Sequence, residues 1–197
     1  MTNSPKSENS AAANLLTRSL HEHVQTFQLL LQDSIPEIQQ SGEAILRALQ
    51  AGHKILLCGN GGSAADAQHI AAELVGRYEQ ERRSWPAIAL TTDTSALTAL
   101  SNDYGYDEVF ARQVSGLAAP GDVLIAISTS GKSANVIRAA EQAKALGCKT
   151  IALTGAGAEP LASVCDLAVI VPADKTSRVQ EAHIAIGHLW CEMVDNP

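Results

Sequence analysis

The chain has 197 residues, enough for one domain with a real core, and 46% are hydrophobic while only 4% are aromatic, so that core must rest on Ala, Leu, Ile and Val. Such a balance favours stacked helices and parallel strands. A formal net charge of −7 with scattered Lys and Arg argues against nucleic acid as a partner, and no apolar run is long enough to cross a membrane.

Residues 1–12 are small and polar, a composition that does not repay its ordering entropy, and a loose tail is expected there. They contain no apolar leader core, so a cytoplasmic protein is expected. From Asn14, Leu15, Leu16, Leu20, Val24, Phe27, Leu30 and Leu31 recur at helical spacing, predicting a long amphipathic helix ended by residues 33–36. His21 and His23 point to different faces of it and read as solvated surface histidines. A second helix is expected over 38–49, closed by Gly52 in the left-handed conformation. Together residues 13–52 read as two helices that precede the main domain, 53–197, and serve assembly.

From Lys54 the pattern is strand, loop, helix, repeated, with strands expected at 55–58, 87–91, 123–127, 150–153 and 167–171. Five short apolar strands separated by helices predict an α/β fold, a doubly wound five-stranded parallel sheet with an N-terminal helical extension. Ligands gather at the carboxyl ends of strands in such sheets. The loops there read GNGGS, TTDTS, STSGKS and TG, rich in hydroxyls and glycines, which suits a small polyhydroxylated anion. The four cysteines, Cys58, Cys148, Cys165 and Cys191, have no CxxC spacing and read as buried reduced thiols.

The first unit, 55–73, runs from an apolar strand through Gly59-Asn60-Gly61-Gly62 into a helix, with Ser63 the expected N-cap. An anion fits above those glycines, at the positive end of the helix. One face of that helix carries His69 and Glu73 at i,i+4, close enough to share a metal ion or divide a proton transfer. The third loop, residues 128–133, is the strongest anion candidate, because hydroxyls and N–H groups converge there at the start of a helix expected over 134–146. Two nucleotide readings are set aside. Gly131-Lys132-Ser133 ends like a P-loop, but position 126, where its first glycine belongs, is Ala126; a G-x-G-x-x-A match at Gly59 would need Asp93 as its acidic partner, too far along.

The last segment, 177–195, is helical in pattern, with Gln180, His183 and His188 interrupting a mostly apolar sequence. Taken singly, each histidine reads as structural; taken with His69 and Glu73, two imidazoles, a carboxylate and an amide oxygen could form a metal site. Gln180 and His188 stand about 12 Å apart along a regular helix, so both must lean inward or the helix must fray at Gln180.

The combination CGNGGSAADAQHIAAEL, TALSNDYGYDEVFARQV, GDVLIAISTSGKSANVI and RVQEAHIAIGH resembles the sugar isomerase (SIS) domain and, within it, the phosphoheptose isomerases. The resemblance runs from about Asp33 to the C-terminus. It implies substrate contacts at Asn60, Gly61, Gly62, Asn102, Asp103, Ser128, Thr129, Ser130, Ser133 and Gln180, and zinc ligands at His69, Glu73, Gln180 and His188. It also implies catalytic roles for Glu73 and His188, one zinc per subunit, a homotetramer with active sites near subunit contacts, and conversion of sedoheptulose 7-phosphate to D-glycero-D-manno-heptose 7-phosphate for lipopolysaccharide or capsule. Arg83-Ser84 departs from the Arg-Pro of many relatives, and the segment 173–177 varies among them. Two other readings accompany it: a non-catalytic SIS adaptor for the replication initiator, and a SIS protein acting on or sensing another sugar phosphate.

Overall fold

The computed structural model describes residues 5–197, with side chains from residue 10 onward. Helix α1 runs from Pro5 to Asp33, so the helix expected from Asn14 reaches back through most of the polar segment read as a tail; residues 1–4 of that segment lie outside the described residues. Pro36 does not merely end α1. It sits in the first turn of α2, Ile35–Gln50, where a proline's missing N–H costs nothing, and Gly52, at φ +88°, turns the chain out of that helix as expected.

The sheet follows: β1 Ile55–Gly59, β2 Ala87–Ala89, β3 Val123–Ser128, β4 Lys149–Gly155 and β5 Leu167–Val171. All pairings are parallel and the order is β2-β1-β3-β4-β5. Side chains alternate across it, so Ile55 and Leu57 join one core while Leu56 and Cys58 join the other. The first core is covered by α2, by α3, Gly62–Val75, and by α8, Thr176–Asp195. The second is covered by α5, Val109–Leu117, and α6, Ala134–Ala145, with the short α7, Leu161–Val164, beside them. Helix α4, Thr94–Tyr104, fully buries none of its residues and rests Leu97 and Leu100 against the edge of the second core. All four cysteines are buried and free. Among the described residues no helix is long and apolar enough to cross a membrane.

This order reverses direction between β1 and β3, whose crossovers leave on opposite sides of the sheet. In sheets of this kind ligands bind above such a reversal, between the loops that follow the two strands, here β1 and β3.

Candidate functional site

The first loop is shaped by close approach. A Cβ on Gly59 would stand 2.7 Å from the Ser63 carbonyl oxygen, so only glycine lets strand and helix pack there. Ser63 is not the N-cap: Gly61, at φ +56°, holds that place, and Ser63 is buried inside the first turn. The N–H groups of Ser63 and Ala64 turn back to the carbonyls of Asn60 and Gly61. With no side-chain cap, the outward donors at this helix start are those of Gly61 and Gly62.

Asn60 ties the first loop to the start of α6. Its amide pairs reciprocally with that of Asn135, at 2.9 Å in each direction, and its Oδ1 also accepts from the Tyr106 hydroxyl at 2.9 Å. Both lone pairs of that oxygen are then used, and Asn60 meets a ligand as a donor. Neither Asn135 nor Tyr106 stood out in the sequence, because nothing local links them to residue 60. Asn102 and Asp103 pair with each other at 2.9 Å on the exposed end of α4, just before Tyr106. Asp93 caps α4 through the N–H of Ala96 at 2.9 Å, a structural duty that disposes of the dinucleotide reading.

In the third loop Ser128 Oγ and Ser133 Oγ are 3.0 Å apart, and Ser130 Oγ accepts from the Lys132 N–H at 3.2 Å. Gly131 takes φ +67°, where a Cβ would strike the carbonyl of Ala158. Thr129 is anchored from behind, its carbonyl accepting the Gly155 N–H at 3.2 Å. Ser133 is the N-cap residue of α6 but gives no side-chain cap bond, which leaves hydroxyls and helix-start donors facing one space.

Helices α3 and α8 lie side by side and run the same way, touching at Gly62 with Gln180, Ile70 with Gly187, and His69 with His188. That register brings three of the four expected ligands together. His69 Nε2 lies 2.9 Å from His188 Nε2 and 3.5 Å from Glu73 Oε1, and Tyr78 stacks on His188 with ring centroids 5.4 Å apart. Gln180 is placed elsewhere: α8 is regular through it, and its amide packs on Gly62, about 10 Å along the α3 axis from His69. In kind and spacing, two imidazoles and a carboxylate suit zinc, whose bonds of about 2.0–2.1 Å set neighbouring ligand atoms somewhat over 3 Å apart. Among the described residues no three His, Cys, Asp or Glu side chains are arranged for a metal as they stand, and an ion would replace the direct bond between the imidazoles.

The other polar candidates sort differently. His183 is fully buried; its ring nitrogens lack a partner in full hydrogen-bond geometry, and burial pushes its pKa down to about 4, with the Thr154 backbone close enough to oppose. His23 is not simply solvated, since Nδ1 bonds Glu181 at 2.8 Å and the ring stacks on Phe27. Asp66, one turn before His69, was passed over in the sequence; burial raises its carboxyl to about 6, with the charge of His69 opposing.

The SIS domain family matches residues 20–155. The chain is 56% identical over 180 residues to the phosphoheptose isomerase of a Nitratiruptor species, covering 91% of this chain and 96% of that one. It is 59% identical over 151 residues to the phosphoheptose isomerase of Aquifex aeolicus, covering 77% and 79%. Among solved structures, the phosphoheptose isomerase of Neisseria gonorrhoeae superposes with a TM-score of 0.90 at 43% identity, over 94% of this chain and all (100%) of that one. That of Francisella tularensis gives 0.91 at 36%, over 94% and 99%.

Proposed function

This chain belongs to the SIS domain family and, within it, to the phosphoheptose isomerases, and from that premise we propose that it interconverts sedoheptulose 7-phosphate and D-glycero-D-manno-heptose 7-phosphate. The observation that carries the reading is the register of α3 against α8, which sets Glu73, His69 and His188 within 3.5 Å contacts beside two loops built for an anion.

The phosphate is the handle. Ser128, Thr129, Ser130 and Ser133 hold it at the start of α6, and Asn60 donates to a sugar oxygen, with Gly61, Gly62, Asn102, Asp103 and Gln180 completing the sugar contacts. Binding energy from the phosphate is thereby spent on orienting C1 and C2. Glu73 takes a proton from C1 while His188 donates one to O2, giving the 1,2-enediol; return of a proton to C2 and loss of one from O1 yields the aldose. Zinc is the proposed metal, with His69, Glu73, His188 and, after its amide swings from Gly62, Gln180 as ligands. When bound it supplies Lewis acidity at the sugar oxygens.

The active form is proposed to be a homotetramer. Leu16, Leu20, Val24 and Leu31 on α1 are each at least half exposed, an apolar stripe that a second copy would cover. The four buried free cysteines fit a cytoplasmic enzyme. Its product would serve heptose supply to lipopolysaccharide or capsule, and residues 13–52 would act as the assembly part of one structural domain with 53–197.

The test is an assay of purified full-length protein with sedoheptulose 7-phosphate, detecting heptose 7-phosphate, before and after chelation and with zinc restored. Turnover that disappears on chelation and returns with zinc is expected. Protein that binds the sugar phosphate yet never turns it over would refute the isomerase.

A further inference from the structure

Residues 76–86, between α3 and β2, grip the far ends of both helices that carry the imidazoles. Asp195, the last residue of α8, has a fully enclosed side chain. Its Oδ1 accepts from Arg82 Nε at 2.6 Å, and its Oδ2 accepts the N–H groups of Glu79 at 2.7 Å and Gln80 at 2.8 Å. Burial pushes this carboxyl up, but the Gln80 N–H, Arg82 and the Glu79 N–H outweigh it, so it stays below the usual carboxylate range. The other arms of the Arg82 guanidinium close the end of α3: Nη2 donates to the Glu73 carbonyl at 2.9 Å, and Nη1 to the carbonyls of Leu74 at 3.0 Å and Gly76 at 3.3 Å. A cation there meets both carbonyls that the helix itself leaves without a partner, that of Leu74 also accepting the Trp85 N–H at 3.0 Å, and the negative end of the helix. Between these anchors, Tyr78 of the same segment lies stacked on His188.

We propose that Arg82 and Asp195 are positioning residues of the isomerase site, locking the end of α3 to the end of α8 and holding Tyr78 over His188 so that Glu73, His69 and His188 keep one mutual orientation. The proposal rests on the isomerase reading above. Its physical basis is that Arg82 holds the backbone carbonyl of Glu73 itself, one covalent unit from the side chain that must meet C1, while Asp195 fixes the helix of His188 two turns beyond it. Misplacement by about 1 Å at such a site costs up to about a hundredfold in rate. Lysine cannot replace the fork, because a point charge does not reach a carboxylate and several carbonyls together.

The experiment uses full-length, zinc-supplemented protein and the variants Arg82→Lys, Asp195→Asn and Tyr78→Leu. Two quantities are read: kcat and KM for sedoheptulose 7-phosphate, and the ring signals of His69 and His188 in protein carrying 13C-labelled histidine, with the ring contact from Tyr78. The expected result is a fall in kcat of about tenfold or more with KM within about twofold, and displaced His69 and His188 signals. A purely structural role would lower the melting temperature with kcat per folded site and both ring signals unchanged, and that result overturns the proposal. Tyr78→Leu leaves the buried pair intact, so it decides the matter if the pair variants do not fold; full kcat in it would also overturn the idea. Should the wild type itself fail to turn over the sugar, the isomerase reading falls alone, and unmoved ring signals in Asp195→Asn would separately refute the positioning role.

Discussion

At the scale of single residues, the site rests on groups whose neighbours define what they can do. Glu73 has His69 at 3.5 Å, and in the proposed reaction it is the base, so Glu73→Gln, nearly the same shape without that function, should cut kcat by about a thousandfold or more and leave sugar-phosphate binding within about threefold. Steady-state kinetics with a direct binding titration checks both halves. His183 gives a stability prediction. Its native pKa of about 4 lies below the ordinary histidine value of 6.5, so between those pH values the unfolded chain binds a proton that the native chain refuses. Stability from this group is therefore full above about pH 6.5 and is lost as pH falls toward 4, by roughly 3 kcal/mol. Urea unfolding from about pH 4 to 7 should show that slope in the wild type, and His183→Leu should flatten it; an unchanged slope would reject the assignment.

At the scale of elements, the parallel register of α3 on α8 is what makes a site out of distant residues, and small residues permit it. A Cβ on Gly187 would stand 2.5 Å from Ile70 Cδ1, so Gly187→Ala forces that side chain aside or separates the helices. The expected cost is about 1–3 kcal/mol of stability with a fall in kcat, because His188 follows directly in the chain. Denaturant melts together with kinetics test it, and a variant as stable and active as the wild type would contradict the packing argument. The same scale explains Ser63. Its hydroxyl chemistry suited an N-cap, but the tight turn after β1 needs Gly61 at positive φ, which starts the helix earlier in the chain and buries Ser63 against Gly59.

For the whole molecule, α1 is the least satisfied part. Leu20 is 66% exposed and Leu31 70% exposed on a helix of 29 residues, an arrangement a lone chain does not justify. Leu20→Glu should shift sedimentation from the proposed tetramer toward smaller species at micromolar protein, and a variant that sediments as the wild type would exclude this stripe as the contact. Against the sheet, by contrast, the chain is self-sufficient: two cores, one on each face, are closed by its own helices.

The parallel sheet was legible in the sequence, because five short apolar runs alternating with helices call for parallel pairing, and the central three, β1, β3 and β4, are buried on both faces. The glycine and hydroxyl loops were legible too, since their chemistry lies in consecutive residues. The candidacy of His69 with Glu73 was readable from i,i+4 spacing alone. Which distant side chain meets them depended on packing: the register of α3 on α8 gives them His188 and keeps Gln180 at Gly62. Packing likewise supplied Tyr106 and Asn135 to Asn60, and Arg82 to Asp195, contacts spanning from 46 to 113 positions. The reason is physical: local spacing fixes what a helix or loop offers, whereas the packing of one element on another fixes what it faces.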